Sequence, residues 1–150
     1  MDKQSLDWSL WIGKSFALAG LLVYKALTSK TKLSLCISTG ARAAAEIIRK
    51  AAQFAEVVKL MTNGQITYMS SFDCIKFSNG GRVMSLPGST DGANLRGFTA
   101  SCVCIDEANF VEHLDLIMQA ISPTLSRDPD AELVLATTPG GKHGTFWELY

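Results

Sequence analysis

The stretch Ser101-Cys102-Val103-Cys104-Ile105-Asp106-Glu107-Ala108 decides how this chain is read. It is a short apolar strand that ends abruptly in two adjacent carboxylates. Two like charges side by side repel and resist desolvation, so a buried strand finishes this way where something cationic is held. In phosphoryl transfer the pair divides its labour. The first acid holds a Mg²⁺ shell, and the second orients or deprotonates water. On its own the signal is weak. Here it lies downstream of Gly13-Lys14-Ser15 and upstream of Ala136-Thr137-Thr138-Pro139, and the order of the three gives it weight.

Working outward, Lys14 to Ser29 is rich in Ala and Leu and apolar nearly all round, which predicts a helix buried on most sides. Lys32 and Ser34 alternate with Leu33, Leu35 and Ile37, predicting a strand that stops at Ser38-Thr39-Gly40. A helical period returns from Ala43 to Leu60. Ile47, Ala51, Phe54 and Val58 form its apolar stripe, and Asn63-Gly64 its left-handed stop. Ile66–Met69, Asp73–Phe77 and Arg82–Leu86 read as strands, the last two joined by the turn Ser78-Asn79-Gly80-Gly81, where Asn-Gly supplies positive φ angles. After the acid pair, a helix is expected from about Val111 to Leu125, broken by Pro129, and then a strand from Leu133 to Thr137. Strands alternating with helices predict an α/β fold with a mostly parallel sheet covered on both faces. In such sheets chemistry gathers at the carboxyl ends of the strands, where all three signals fall.

Composition bounds the rest. A chain of 150 residues, 47% hydrophobic and 19% charged, has a globular make-up and material for one core. Its 14 basic and 14 acidic residues cancel, so no global charge marks it for nucleic acid. A DNA contact would need a local patch or an assembly. The four cysteines lack metal spacing, and three of them (Cys36, Cys102, Cys104) sit in apolar runs as reduced, buried thiols. No signal peptide is expected at the start of the chain. The apolar stretch Phe16–Leu27 is too short to span a bilayer and is interrupted by Lys25, so the cytosol is the expected location.

Gly-Lys-Ser at a helix start is half of a phosphate-binding loop. The helix end offers free N–H groups, Lys14 reaches outer phosphates, and the Ser15 hydroxyl can ligate Mg²⁺. The full pattern has a glycine five residues before Gly13, where this chain has Trp8.

The whole arrangement resembles the ATPase domain of the large subunit of tailed-phage terminases, the motors that pump DNA into capsids. Four segments carry the resemblance across nearly the entire chain. They are Ile12-Gly13-Lys14-Ser15-Phe16; Leu86-Pro87-Gly88 with Leu95-Arg96-Gly97-Phe98-Thr99; Val103-Cys104-Ile105-Asp106-Glu107-Ala108; and Ala136-Thr137-Thr138-Pro139-Gly140 with Thr145-Phe146-Trp147. The family commonly tolerates a phosphate loop without its first glycine.

The resemblance implies a P-loop NTPase fold of the ASCE or RecA-like kind, with ATP and Mg²⁺ as cofactors. It assigns Gly13, Lys14 and Ser15 to nucleotide, Ser15 and Asp106 to the metal, Glu107 to activation of the attacking water, and Thr137 and Thr138 to coupling. Its implied partners are double-stranded DNA, the terminase small subunit and the portal, with copies of the chain assembled in the host cytoplasm of a phage or prophage.

Departures from the family temper that picture. Members usually carry an arginine shortly before Gly-Lys-Ser, and this chain has Leu10 and Trp11 there. An arginine that neutralises transition-state charge is worth about 10³–10⁵ in rate, and Arg96, within Leu-Arg-Gly, is the best candidate for that role. The expected first strand, Leu6–Ile12, alternates and carries Asp7 and Ser9, unlike a central parallel strand. The chain stops at Tyr150, short of the family's nuclease domain. The expectation is therefore a partial ATPase domain over residues 1–150, incomplete at both ends. A non-catalytic prophage remnant acting as an interaction module is the alternative. Another helicase-like P-loop ATPase is disfavoured, because motifs that grip nucleic acid are not visible.

Overall fold

The computed structural model of the chain describes residues 13–88, 92, 95–138 and 145–149. The expected first strand at Leu6–Ile12, with Trp8, Leu10 and Trp11, lies outside the described residues, as do Pro139, Gly140, Gly141 and Gly144.

In chain order the elements are α1 (Lys14–Thr28), β1 (Leu33–Ser38), α2 (Ala41–Met61), β2 (Tyr68–Ser70), β3 (Cys74–Phe77), β4 (Arg82–Pro87), β5 (Cys102–Asp106), α3 (Leu114–Leu125), β6 (Glu132–Ala136) and α4 (Thr145–Leu149). A 3-10 turn at Ala108–Phe110 separates β5 from α3. One six-stranded sheet has the order β2-β3-β4-β1-β5-β6. The neighbours β4, β1, β5 and β6 run parallel, and β2 and β3 extend the sheet antiparallel. The register sets Cys36 opposite both Ser85 and Cys104, and Ile37 opposite Ile105.

Alternation along β1 and β5 feeds two cores. Cys36, Cys102 and Cys104 face α1 and α2, packing with Leu18, Leu22, Ile47 and Ala51. Leu35, Ile37, Val103 and Ile105 face α3, packing with Leu114, Ile117 and Ile121. Every residue of β1 and of β5 is buried, which explains why neither strand shows polar alternation in its burial. Cys102 and Cys104 share one face, as a Cys-x-Cys strand requires, with their sulfurs 3.7 Å apart. Burial pushes the Cys36 thiol up, and the contact with Cys102 together with burial does the same to Cys104, so these thiols stay protonated.

Two local expectations shift. The hairpin turn between β3 and β4 takes positive φ at Gly80 alone (φ 89°), not at Asn79 as well. The Gly80 N–H donates to the Phe77 carbonyl and the Phe77 N–H to the Gly81 carbonyl. That pattern is a type I turn closed by a glycine bulge. The helix expected from Val111 starts instead at Leu114, because Glu107 (φ 53°) and His113 (φ 54°) are both left-handed and confine the intervening segment to a single 3-10 turn.

Candidate active site

The carboxyl edge of the parallel strands gathers the chemistry. Gly13 precedes α1, and its φ of 112° is accessible to glycine and strained for any other residue. That turn delivers Lys14 and Ser15 from the first helical positions toward the end of β5. β5 in turn ends at Asp106, and the left-handed Glu107 turns its carboxylate sideways instead of continuing the strand. A non-glycine residue in this conformation costs on the order of 1 kcal/mol, offset here by the contacts its side chain makes.

Those contacts are dense. The Lys14 ammonium lies 2.6 Å from Glu107 Oε1 and 3.7 Å from Asp106 Oδ1. The Ser15 hydroxyl donates to Asp106 Oδ2 at 3.1 Å. The Glu107 backbone N–H donates to Asp106 Oδ1 at 3.0 Å. On the far side, Glu107 Oε2 accepts from both the N–H and the hydroxyl of Thr138, at 3.2 and 3.1 Å. The Thr137 hydroxyl accepts from the Asn109 N–H and donates to the Thr138 carbonyl. Lys14, Ser15, Asp106, Glu107, Thr137 and Thr138 thus meet in one hydrogen-bonded cluster, with Gly13 at the helix start beside it. Asn109 is a member that sequence reasoning missed. It contributes through its backbone, so its side-chain type carries no signal.

Electrostatics follow from the geometry. Burial alone raises the Glu107 carboxyl. The Lys14 ammonium and the two Thr138 donors outweigh it, and the net position is below the ordinary carboxylate range. Glu107 is therefore ionised at neutral pH. Its side chain remains 34% exposed, open to solvent on one side.

Arg96 is not in this cluster. It is exposed, on the segment that leads into the amino end of β5, and it lines a cleft with Phe98, Pro123, Thr124 and Arg127 beside the last turns of α3. The Thr124 hydroxyl donates to the Leu95 carbonyl, and the Ala100 N–H to the Thr124 carbonyl, which ties that segment to the end of the sheet away from Asp106. β5 alone rises about 13 Å between Cys102 and Asp106.

A mostly parallel sheet with a lysine–serine helix start facing an acid pair defines an α/β protein of the phosphate-loop class. Comparison narrows the class. The family model for the terminase large subunit, T4likevirus-type, N-terminal, matches residues 9–147, and the chain belongs to that family.

Among solved structures, the chain is similar to the large terminase ATPase domain of Thermus phage P74-26, with a TM-score of 0.76 and 20% identity over 91% of this chain and 59% of that one. It is also similar to the large terminase of a thermophilic bacteriophage (TM-score 0.73, 13% identity, 95% and 35% coverage). A third likeness is to the N-terminal domain of the DNA packaging ATPase of bacteriophage phi29 (TM-score 0.66, 11% identity, 94% and 75% coverage). The chain therefore spans 59% of the Thermus phage domain and about a third of the thermophilic phage's large terminase. Another structure of that large terminase is a complex with ADP. No curated protein matches the chain. Among the described residues, no helix is long and apolar enough to cross a membrane.

Proposed function

We propose that this chain is the ATP-hydrolysing part of a phage terminase large subunit, and that in the assembled motor it couples hydrolysis to the packaging of double-stranded DNA. The observation that carries the reading is the single cluster of Lys14, Ser15, Asp106, Glu107 and Thr138 at the carboxyl edge of the sheet, in a chain of this family. Residues 1–150 make up part of that ATPase domain. Partner copies, the small subunit and the portal complete the motor in the host cytoplasm.

The donor set suits a magnesium nucleotide. Ser15 and Asp106 offer hard oxygen ligands, already hydrogen-bonded to each other. Among the described residues no group of three or more His, Cys, Asp and Glu side chains is placed to hold a metal ion. A cation here takes its remaining ligands from phosphate and water, as Mg²⁺ characteristically does. When bound, Mg²⁺ supplies charge neutralisation for the transferring phosphoryl group.

The chain's own residues divide the rest. Gly13 opens the helix end to phosphate, and Lys14 exchanges its carboxylate partners for phosphate oxygens. Glu107, released from Lys14 and still held by Thr138, takes the proton of the attacking water. Thr137 and Thr138 read the change at Glu107 from the end of β6. Arg96, exposed at the other end of the sheet, reaches a reacting phosphate only in the site of a neighbouring copy, so we assign it to that role.

The test is calorimetric titration of the 150-residue chain with ADP in the presence of Mg²⁺, alongside steady-state phosphate release. The expected result is magnesium-dependent binding that Lys14→Ala abolishes, with slow turnover by the isolated chain. A chain that binds no nucleotide overturns the reading in favour of the non-catalytic remnant.

A further inference from the structure

Among the described residues, three buried hydroxyls have no hydrogen-bond partner: those of Ser34, Ser38 and Ser85. A buried, unpaired hydroxyl costs about 1–3 kcal/mol, so each needs a reason. Ser34 and Ser85 lie along the strands beneath α1 and α2, on the face shared with Cys36 and Cys104. Small side chains there let the helices approach, and packing explains them.

Ser38 differs by its place. It is the last residue of β1, on the same face as Ser34 and Cys36, and 1% exposed. Continuing the register one step past Ile37 and Ile105 sets it opposite Asp106, which is itself 7% exposed. Side chains directly opposite on adjacent strands lie about 5 Å apart at Cβ. The Asp106 charge is felt along this face, where after burial it is the next cause raising the Cys36 thiol. An unpaired hydroxyl therefore stands beside the carboxylate assigned to the metal, on the side away from Thr138.

We infer that Ser38 is a positioning residue of the magnesium–nucleotide site, its hydroxyl fixing a water of the metal's shell beside Asp106. This rests on the functional reading above. In the structure Lys14 spans Asp106 and Glu107 and closes that edge. Once Lys14 turns to phosphate, a water bound by the cation beside Asp106 would meet the Ser38 hydroxyl. The unpaired hydroxyl then gains a partner in the loaded site. Ser34, four residues back along the same strand face and about 13 Å from the edge, has no such water to meet.

The experiment compares Ser38→Ala with Ser34→Ala in the 150-residue chain, reading melting temperature and the Mg²⁺ concentration that gives half-maximal stabilisation by ADP. Both substitutions are expected to hold or raise the melting temperature without nucleotide, since each removes an unpaired hydroxyl. Ser38→Ala alone is expected to raise the required Mg²⁺ by about 3–10-fold, the worth of one hydrogen bond to a bound water. Equal Mg²⁺ requirements for the two variants, with Asp106→Asn still raising it, overturn the role of Ser38 and spare the site. If the unsubstituted chain shows no magnesium-dependent stabilisation by ADP, site and inference fall together. Ser38→Cys, small and a poor partner for a metal-bound water, is the second variant should Ser38→Ala not fold. It is expected to raise the Mg²⁺ requirement likewise, and an unchanged requirement overturns the inference.

Discussion

Replacing Glu107 with Gln separates the two tasks assigned to its carboxylate, because the amide keeps the shape and loses the charge. In the structure Glu107 Oε1 holds the Lys14 ammonium at 2.6 Å, and the Glu107 side chain is 34% exposed. Solvent screening limits such a pair to about 1 kcal/mol. Lys14 must give up that pair to reach phosphate, so in the unsubstituted chain its loss weakens every binding event. Glu107→Gln relieves most of that cost, and nucleotide affinity is expected to hold or to rise by up to about fivefold. Thr138 keeps an amide oxygen to donate to, so the loop and the end of β6 stay where they are.

Turnover behaves oppositely. Loss of a general base costs about 10²–10⁴ in rate. The adjacent carboxylate is not free to replace Glu107, since Asp106 already engages Ser15 and the Glu107 backbone. Titration calorimetry with ADP gives the affinity, and a phosphate-release assay under saturating nucleotide gives the turnover. Lys14→Ala is the reference for lost binding. If Glu107→Gln weakened ADP binding as much as Lys14→Ala does, the division of roles between the two residues would be refuted.

Three other outcomes are expected. Arg96→Ala leaves ADP affinity of the isolated chain unchanged and lowers turnover only in an assembled motor, by up to about 10³-fold; weakened binding in the isolated chain would contradict its distance from the cluster. The Glu107 carboxyl titrates below its ordinary value, so its ionised form adds stability that is fully present above the unfolded carboxylate pKa, about 4.3, and is lost as pH falls through the lower folded value. Acid denaturation curves of the wild type and Glu107→Gln should accordingly converge below that window, and parallel curves throughout would show that the carboxylate is not linked to folding. Gly81→Ala places a Cβ 2.5 Å from the Ala26 carbonyl oxygen, a backbone atom that cannot swing aside, and should lower stability by about 1–3 kcal/mol in urea unfolding, whereas Gly40→Ala meets open space at extended φ and should not.

The legible part of this fold is the part in which local pattern and tertiary role agree. β5 is apolar up to two acids, and α1 is apolar around a lysine–serine start. Together they predict that the helix start and the strand end meet at one edge of the sheet, where Lys14 and Ser15 do contact Glu107 and Asp106. The stripe Ile47, Ala51, Phe54 and Val58 likewise placed α2, and two of its members, Ile47 and Ala51, are fully buried. What the sequence concealed was backbone conformation decided by tertiary contacts. Nothing local marks Glu107 or His113 as left-handed, because the Glu107 conformation is held by Lys14 and Thr138, distant in sequence. The late start of α3 follows from those two residues. In the sequence Ser38 shows only as a strand end, since its register against Asp106 exists only in the assembled sheet. The position of Arg96 was equally hidden: Gly92 packs against Leu116 and Ala120 of α3, and Leu95 and Ala100 bond to Thr124, which sets that arginine at the end of the sheet away from the acid pair.

Glu107 is the joint of the site, and its bonding indicates how a change at phosphate would travel. One carboxylate oxygen faces Lys14 on α1, and the other accepts two bonds from Thr138 at the end of β6. Thr137 meanwhile receives the Asn109 N–H from the turn that follows Glu107. The β5 turn and the β6 end are therefore clamped together at two points, one through a charge and one through a neutral hydroxyl. Charge-assisted bonds are roughly twice as strong as neutral ones, so the Glu107–Thr138 pair dominates the clamp. When Lys14 is drawn to phosphate, Glu107 loses its cation while keeping Thr138, and the clamp is expected to tighten. In the proposed reaction Glu107 takes a proton from water, its acceptor strength falls, and the Thr138 bonds weaken. Under that reading, hydrolysis and the hold on the end of β6 would be linked through the charge state of a single side chain. Thr138→Val, which deletes the hydroxyl donor and keeps the N–H, is accordingly expected to spare ADP binding and slow turnover, with amide exchange at Asn109 and Thr138 rising together. Exchange rising at Thr138 alone would show that the two ends of the clamp are independent.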